Sequence, residues 1–189
     1  LIMFCRGLFI GVPLSILVWR AGGLSTLKTG NLKGHSLRAV FVITGTFLFV
    51  SGLKYLPITD AVAIAFAGPL FITALAPTFL GEQVGWRRWG AVLVGFVGIM
   101  LIIKPGSEVF QWAALLPLGA SLTGAFRDIL TRHMSAQETT EAILFYTSIG
   151  VVLAGSLFST FVWTPVAMKD WGWFALGGLF IDVAHFLMI

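Results

Sequence analysis

Residues 53–106 read LKYLPITDAVAIAFAGPLFITALAPTFLGEQVGWRRWGAVLVGFVGIMLIIKPG, and this stretch decides the fold class. Two apolar runs, Ile58–Leu80 and Trp86–Ile103, flank a short polar link that contains Glu82 and Gln83. About 20 mostly apolar residues in a helix cross the roughly 30 Å of hydrocarbon in a bilayer. Both runs are of that order and continuous, whereas a barrel strand would alternate apolar and polar residues over about 10 positions. The stretch predicts two membrane-spanning helices joined by a short loop.

The same pattern continues outward. Further apolar runs cover Leu1–Trp19, Arg38–Leu56, Val109–Thr131 and Ala142–Trp163, and a seventh starts at Trp171. The composition agrees: of 189 residues, 58% are hydrophobic and 11% charged. A soluble domain carries about 25% charged residues and about 45–50% apolar ones. A soluble globular domain and a disordered chain are both excluded. The expected fold class is an all-α polytopic membrane protein, a bundle of about seven transmembrane helices.

The net charge is +4, but the bases stand singly between apolar runs and make no patch for nucleic acid. Their placement encodes topology, because cytoplasmic loops collect Lys and Arg. Counting loops from the first span, odd loops hold eight bases and even loops three. Loops 20–38, 81–88 and 132–141 are therefore expected to be cytoplasmic, in a multi-pass protein of the cell (inner) membrane. The tryptophans Trp19, Trp86, Trp89, Trp112, Trp163, Trp171 and Trp173 all fall at expected span ends, as an interfacial aromatic belt requires. The single cysteine, Cys5, forbids an internal disulfide and a cysteine metal cluster.

Several short elements in this order resemble one family. They are Leu53-Lys54-Tyr55-Leu56-Pro57-Ile58-Thr59-Asp60-Ala61, then Gly68-Pro69-Leu70-Phe71, Leu80-Gly81-Glu82-Gln83-Val84, Trp86-Arg87-Arg88-Trp89-Gly90 and Ile103-Lys104-Pro105-Gly106. Together they resemble the drug/metabolite transporter superfamily, EamA type. Phe4-Cys5-Arg6 is similar to that family's Phe-x-Arg element in its second helix, and Ile129-Leu130-Thr131-Arg132 to the start of its second repeat. The resemblance implies ten helices in two inverted five-helix repeats. On that register residues 1–106 form the first repeat without its first helix, and residues 107–189 the start of a second. The chain is then expected to be a fragment, holding helices two to seven and part of eight.

Few residues in the spans carry chemistry. Arg6 is a charge well inside a span, where a cost of about 2.5–3.5 kcal/mol drives it towards the bundle interior or a wet cavity. It reads either as an anion contact in a transport path or as a link to backbone carbonyls. Asp182 and His185 share one helix face and form a candidate proton-coupling pair, although an interhelical hydrogen bond is the simpler reading. Pro69 interrupts its span and releases the carbonyl of Ala65, a device that carriers use at midplane sites. Tyr55, Phe66 and Tyr146 are further candidates for lining a substrate path. Asp60 and Glu82 precede or open helices and are expected as caps. Arg127, Asp128 and Arg132 are expected as anchors near a span end, with Asp128 and Arg132 at ion-pair spacing.

The function expected is a secondary, alternating-access carrier for a small organic metabolite such as an amino-acid or nucleoside-type compound. Its partners are the bilayer and that substrate, without nucleic acid, and a homodimer is left open as the assembly. No cofactor or metal is implied, and no catalytic residue: the three histidines lie apart and no GxSxG elbow occurs. The alternatives are an integral-membrane enzyme acting on a lipid-linked substrate and a non-transporting assembly subunit.

Overall fold

The computed structural model describes residues 22–103 and 112–159, with residues 15, 18–20, 171, 172, 176, 177 and 180. Inside a bilayer no water reaches the backbone, so a spanning segment satisfies its own N–H and C=O groups as a helix. The described residues follow that rule: they are helical, with no strand among them. They include α1 (Leu32–Gly52), α2 (Ile58–Ala65), α3 (Gly68–Leu80), α4 (Trp86–Ile103), α5 (Leu115–Met134) and α6 (Thr140–Ser159). Short 3-10 turns occupy Gly23–Leu27 and Trp112–Ala114.

Five stretches are long and apolar enough to span: Leu32–Gly52, Ile58–Leu80, Trp86–Ile103, Trp112–Met134 and Thr140–Leu157. The chain is an all-α, multi-pass membrane protein. The expected spans at Leu1–Trp19 and from Trp171 fall largely outside the described residues.

Most boundaries lie within a few residues of expectation, but α1 begins at Leu32 and not at Arg38. The cause is a cap: the Asn31 side-chain oxygen accepts from the Gly34 N–H at 3.0 Å, satisfying one of the N–H donors a helix start leaves bare. His35 and Arg38 consequently stand on the first turns of a helix and are buried, each about 2% exposed. Likewise Thr139 accepts from the Ala142 N–H at 3.2 Å and opens α6. Gly81 closes α3 in the left-handed conformation at φ 66°, where a residue with a Cβ is strained.

The chain divides into two compact units, Phe41–His133, and Leu1–Val40 with Met134–Ile189. In the first, Ala61, Ile64 and Ala67 are almost wholly buried and pack with Leu56, Ile99, Ile103 and Ala114. Helices in lipid gain little from apolar burial and associate through close packing of small residues. Gly45 and Gly52 provide it between α1 and α5: a Cβ at Gly45 would stand 2.8 Å from Thr123 Oγ1, and one at Gly52 3.0 Å from Pro117 Cδ. In the second unit a Cβ at Gly150 would meet the Ala39 Cβ at 2.6 Å, bringing α1 and α6 together. Leu37, Val40, Phe47 and Val50 are exposed apolar residues of α1.

Candidate functional site

The span Ile58–Leu80 is two helices, not one. Pro69 has no N–H to offer the Ala65 carbonyl, and the helix ends there. Ala67 N–H closes a tight turn onto the Ile64 carbonyl at 2.9 Å, and α3 restarts at Gly68 with proline in its first turn. The interruption lies near the middle of a 23-residue span. Pro77, by contrast, sits inside α3 without ending it.

Ser121 answers the break from α5, near the middle of another 23-residue span, Trp112–Met134. Its Oγ lies 2.9 Å from the Pro117 carbonyl, 3.2 Å from Ala65 and 3.4 Å from Ile64. A hydroxyl carries one proton, so three acceptors share one donor. The α2 end also carries the negative end of its helix dipole into mid-span. The Ile64 carbonyl also accepts from the Ala67 N–H, so the acceptor that the break leaves without a backbone donor is the Ala65 carbonyl. Phe66 and Pro69 beside the break are exposed, Phe66 to 73%. Tyr55 is exposed but lies in the turn before α2, eight helical residues or roughly 12 Å from the break.

A second polar group gathers in the other unit. The Thr29 hydroxyl donates to Glu138 Oε1 at 2.6 Å and accepts from the Asn31 N–H at 3.0 Å. His35 Nε2 lies 3.1 Å from Thr29 Oγ1 and 3.6 Å from Glu138 Oε2, with both side chains buried. The Tyr146 ring packs 4.6 Å from the imidazole and its hydroxyl donates to the Leu27 carbonyl at 3.1 Å. Arg38 reaches across to the Ile143 carbonyl at 3.5 Å and to the Thr147 hydroxyl. Of the path candidates named from sequence, the structure groups Phe66 with Pro69 at the break and places Tyr146 in this cluster.

The expected anchors occupy the later turns of α5 and the link after α3. Arg127 holds Asp128 through Nε at 2.7 Å and Nη2 at 2.6 Å. Arg132 pairs with Glu82, tying the end of α5 to the link that follows α3. Asp60 stands exposed in the first turn of α2, where its charge complements the positive helix end. Arg6, Asp182 and His185 lie outside the described residues. No group of three metal-ligating side chains occurs among the described residues.

Sequence reasoning missed Ser121, His35 and Glu138. A lone serine in an apolar run carries no signal of its partner. Thr29 and Glu138 are 109 positions apart. Asn31 was the available clue, since a cap there moves His35 and Arg38 from a loop into a helix.

Comparison with known proteins fits this architecture. Residues 1–104 match the EamA-like transporter family. An S-adenosylmethionine uptake transporter of Rickettsia bellii is 36% identical over 127 residues, 67% of this chain and 44% of that protein. A riboflavin transporter of Rhizobium johnstonii is 32% identical over 173 residues, 88% of this chain and 55% of its own length. A riboflavin transporter of Vibrio cholerae is 33% identical over 122 residues, 64% of this chain and 41% of the other. The chain thus spans about half the length of the curated relatives it matches. No solved structure matches it. With broken and unbroken membrane spans in place and more than half of its residues matched, the chain belongs to the EamA-like transporter family.

Proposed function

We propose that the chain is part of an alternating-access carrier for a small organic metabolite of amino-acid or nucleoside type, which binds at the break between α2 and α3. The observation that carries this reading is the mid-span Ala65 carbonyl, which Pro69 leaves without its helix donor and which shares the single Ser121 proton with Pro117 and Ile64. Carriers place irregular backbone at mid-depth because a substrate can exchange hydrogen bonds with it there. The relatives' names give S-adenosylmethionine and riboflavin as compounds to test. Both present N–H donors on flat heteroaromatic rings, chemistry that suits the under-supplied Ala65 carbonyl beside Phe66. The carrier would work as two inverted repeats divided near residue 106, with loops 20–38, 81–88 and 132–141 in the cytoplasm. Its action is movement, not a chemical reaction.

The test is transport into sealed vesicles carrying the purified protein, with labelled S-adenosylmethionine, riboflavin and a panel of amino acids and nucleosides. The carrier reading expects at least one compound to accumulate and be recovered chemically unchanged. Covalent alteration of the compound, or no movement across the whole panel, contradicts it.

A further inference from the structure

The Glu138–Thr29–His35 group has a hydrogen-bond order that leaves little freedom. Thr29 Oγ1 has one proton and two lone pairs. Its proton goes to Glu138 Oε1 at 2.6 Å, and the Asn31 N–H takes one lone pair at 3.0 Å. The remaining lone pair faces His35 Nε2 at 3.1 Å, so Nε2 carries the hydrogen of the neutral ring. The other ring nitrogen, Nδ1, is buried and has no hydrogen-bond partner among the described residues. It is a bare lone pair on a side chain only 2% exposed.

We propose that His35 Nδ1 is a proton-exchange site, empty when the segment Gly22–Asn31 is closed on the start of α6 and filled when that segment opens. Closure is built from contacts on both sides of the imidazole: Thr139 donates to the Thr26 carbonyl at 2.8 Å, Tyr146 to Leu27 at 3.1 Å, and Thr29 to Glu138. Leu27 packs with Leu144 in the same place. A proton added to Nδ1 in this arrangement becomes a buried N–H with no acceptor beside it, at the full cost of its desolvation. Opening the segment lets water reach Nδ1 and removes that penalty. The charged and titratable groups facing the ring are Glu138 from the link before α6, Arg38 one turn along α1, and Tyr146 from α6. Glu138 and Arg38 act on the ring with opposite signs, whereas the segment governs whether Nδ1 meets water. If the carrier reading holds, this exchange supplies a coupling proton; the site itself does not rest on that reading.

Hydrogen exchange measured by mass spectrometry on the detergent-solubilised protein tests it without a transport assay. After correction for intrinsic rates, protection of residues 22–31 is expected to fall as pH drops from about 8 to about 5. The fall follows one proton, about tenfold per pH unit below the transition. His35→Gln keeps a donor for Thr29 and no titration, so its protection stays high and flat. A flat profile in the wild type, or an unchanged pH dependence in His35→Gln, overturns the proposal. Should His35→Gln lose protection at every pH, nitrogen NMR of the wild-type imidazole decides. The Nε2–H tautomer at neutral pH supports the site, and hydrogen on Nδ1 at neutral pH refutes it.

Discussion

The break between α2 and α3 and the cluster around His35 are both polar groups inside an apolar bundle, but they solve opposite problems. At the break, the Ala65 carbonyl lacks the helix donor that Pro69 cannot give and shares the Ser121 proton with Pro117 and Ile64, and every member is uncharged. Around His35, Thr29 uses all of its hydrogen-bonding capacity, and the charges of Glu138 and Arg38 are buried close by. A shortage of donors invites a ligand to bring one. A network satisfied except at one atom holds its parts together and responds only to what changes that atom. The first arrangement suits a site that binds and releases; the second suits a fastening.

The contrast predicts unequal costs of substitution. Arg38→Met removes the cation that reaches the Ile143 carbonyl and the Thr147 hydroxyl. It should lower unfolding stability by about 2–3 kcal/mol, the scale of a buried hydrogen bond to a charged group, as read from denaturation in detergent. A loss under about 0.5 kcal/mol, the range of ordinary surface substitutions, would dissolve the distinction by making the cluster no more binding than the break. Ser121→Ala should cost only about 0.6 kcal/mol, the average for hydrogen bonds between membrane helices. Its larger effect is on function: with the competing donor gone, affinity for an N–H-bearing substrate rises roughly tenfold, about 1.4 kcal/mol, while Ser121→Thr, which keeps the hydroxyl, stays near wild type. Equal affinity in Ser121→Ala and the wild type would remove Ser121 from the site.

Much of the fold was legible because its causes are local. Continuous apolar runs required spanning helices, and Pro69 announced the break through its own missing N–H. The start of α1 was misplaced because hydropathy assigns charged and polar residues to a loop, and Lys33 and His35 stand in its first turns. The cap that moves the boundary is a side-chain hydrogen bond from Asn31, which hydropathy does not register. The partners that give the polar groups their meaning were not legible at all. Glu138 reaches Thr29, and Ser121 reaches Ala65, only after folding brings separate helices together. Pattern along a chain records faces and ends; it does not record which ends meet.

The central claim is that the interrupted span is where substrate binds, and Pro69→Ala tests it most directly. Alanine restores an N–H that can bond the Ala65 carbonyl, healing the helix and relieving the demand on Ser121. The measurement is uptake by sealed vesicles of the compound that the wild-type protein moves, compared at equal amounts of folded protein. The account predicts stability equal to or above wild type, with uptake reduced roughly tenfold or more. Undiminished uptake in a stable Pro69→Ala protein would contradict it.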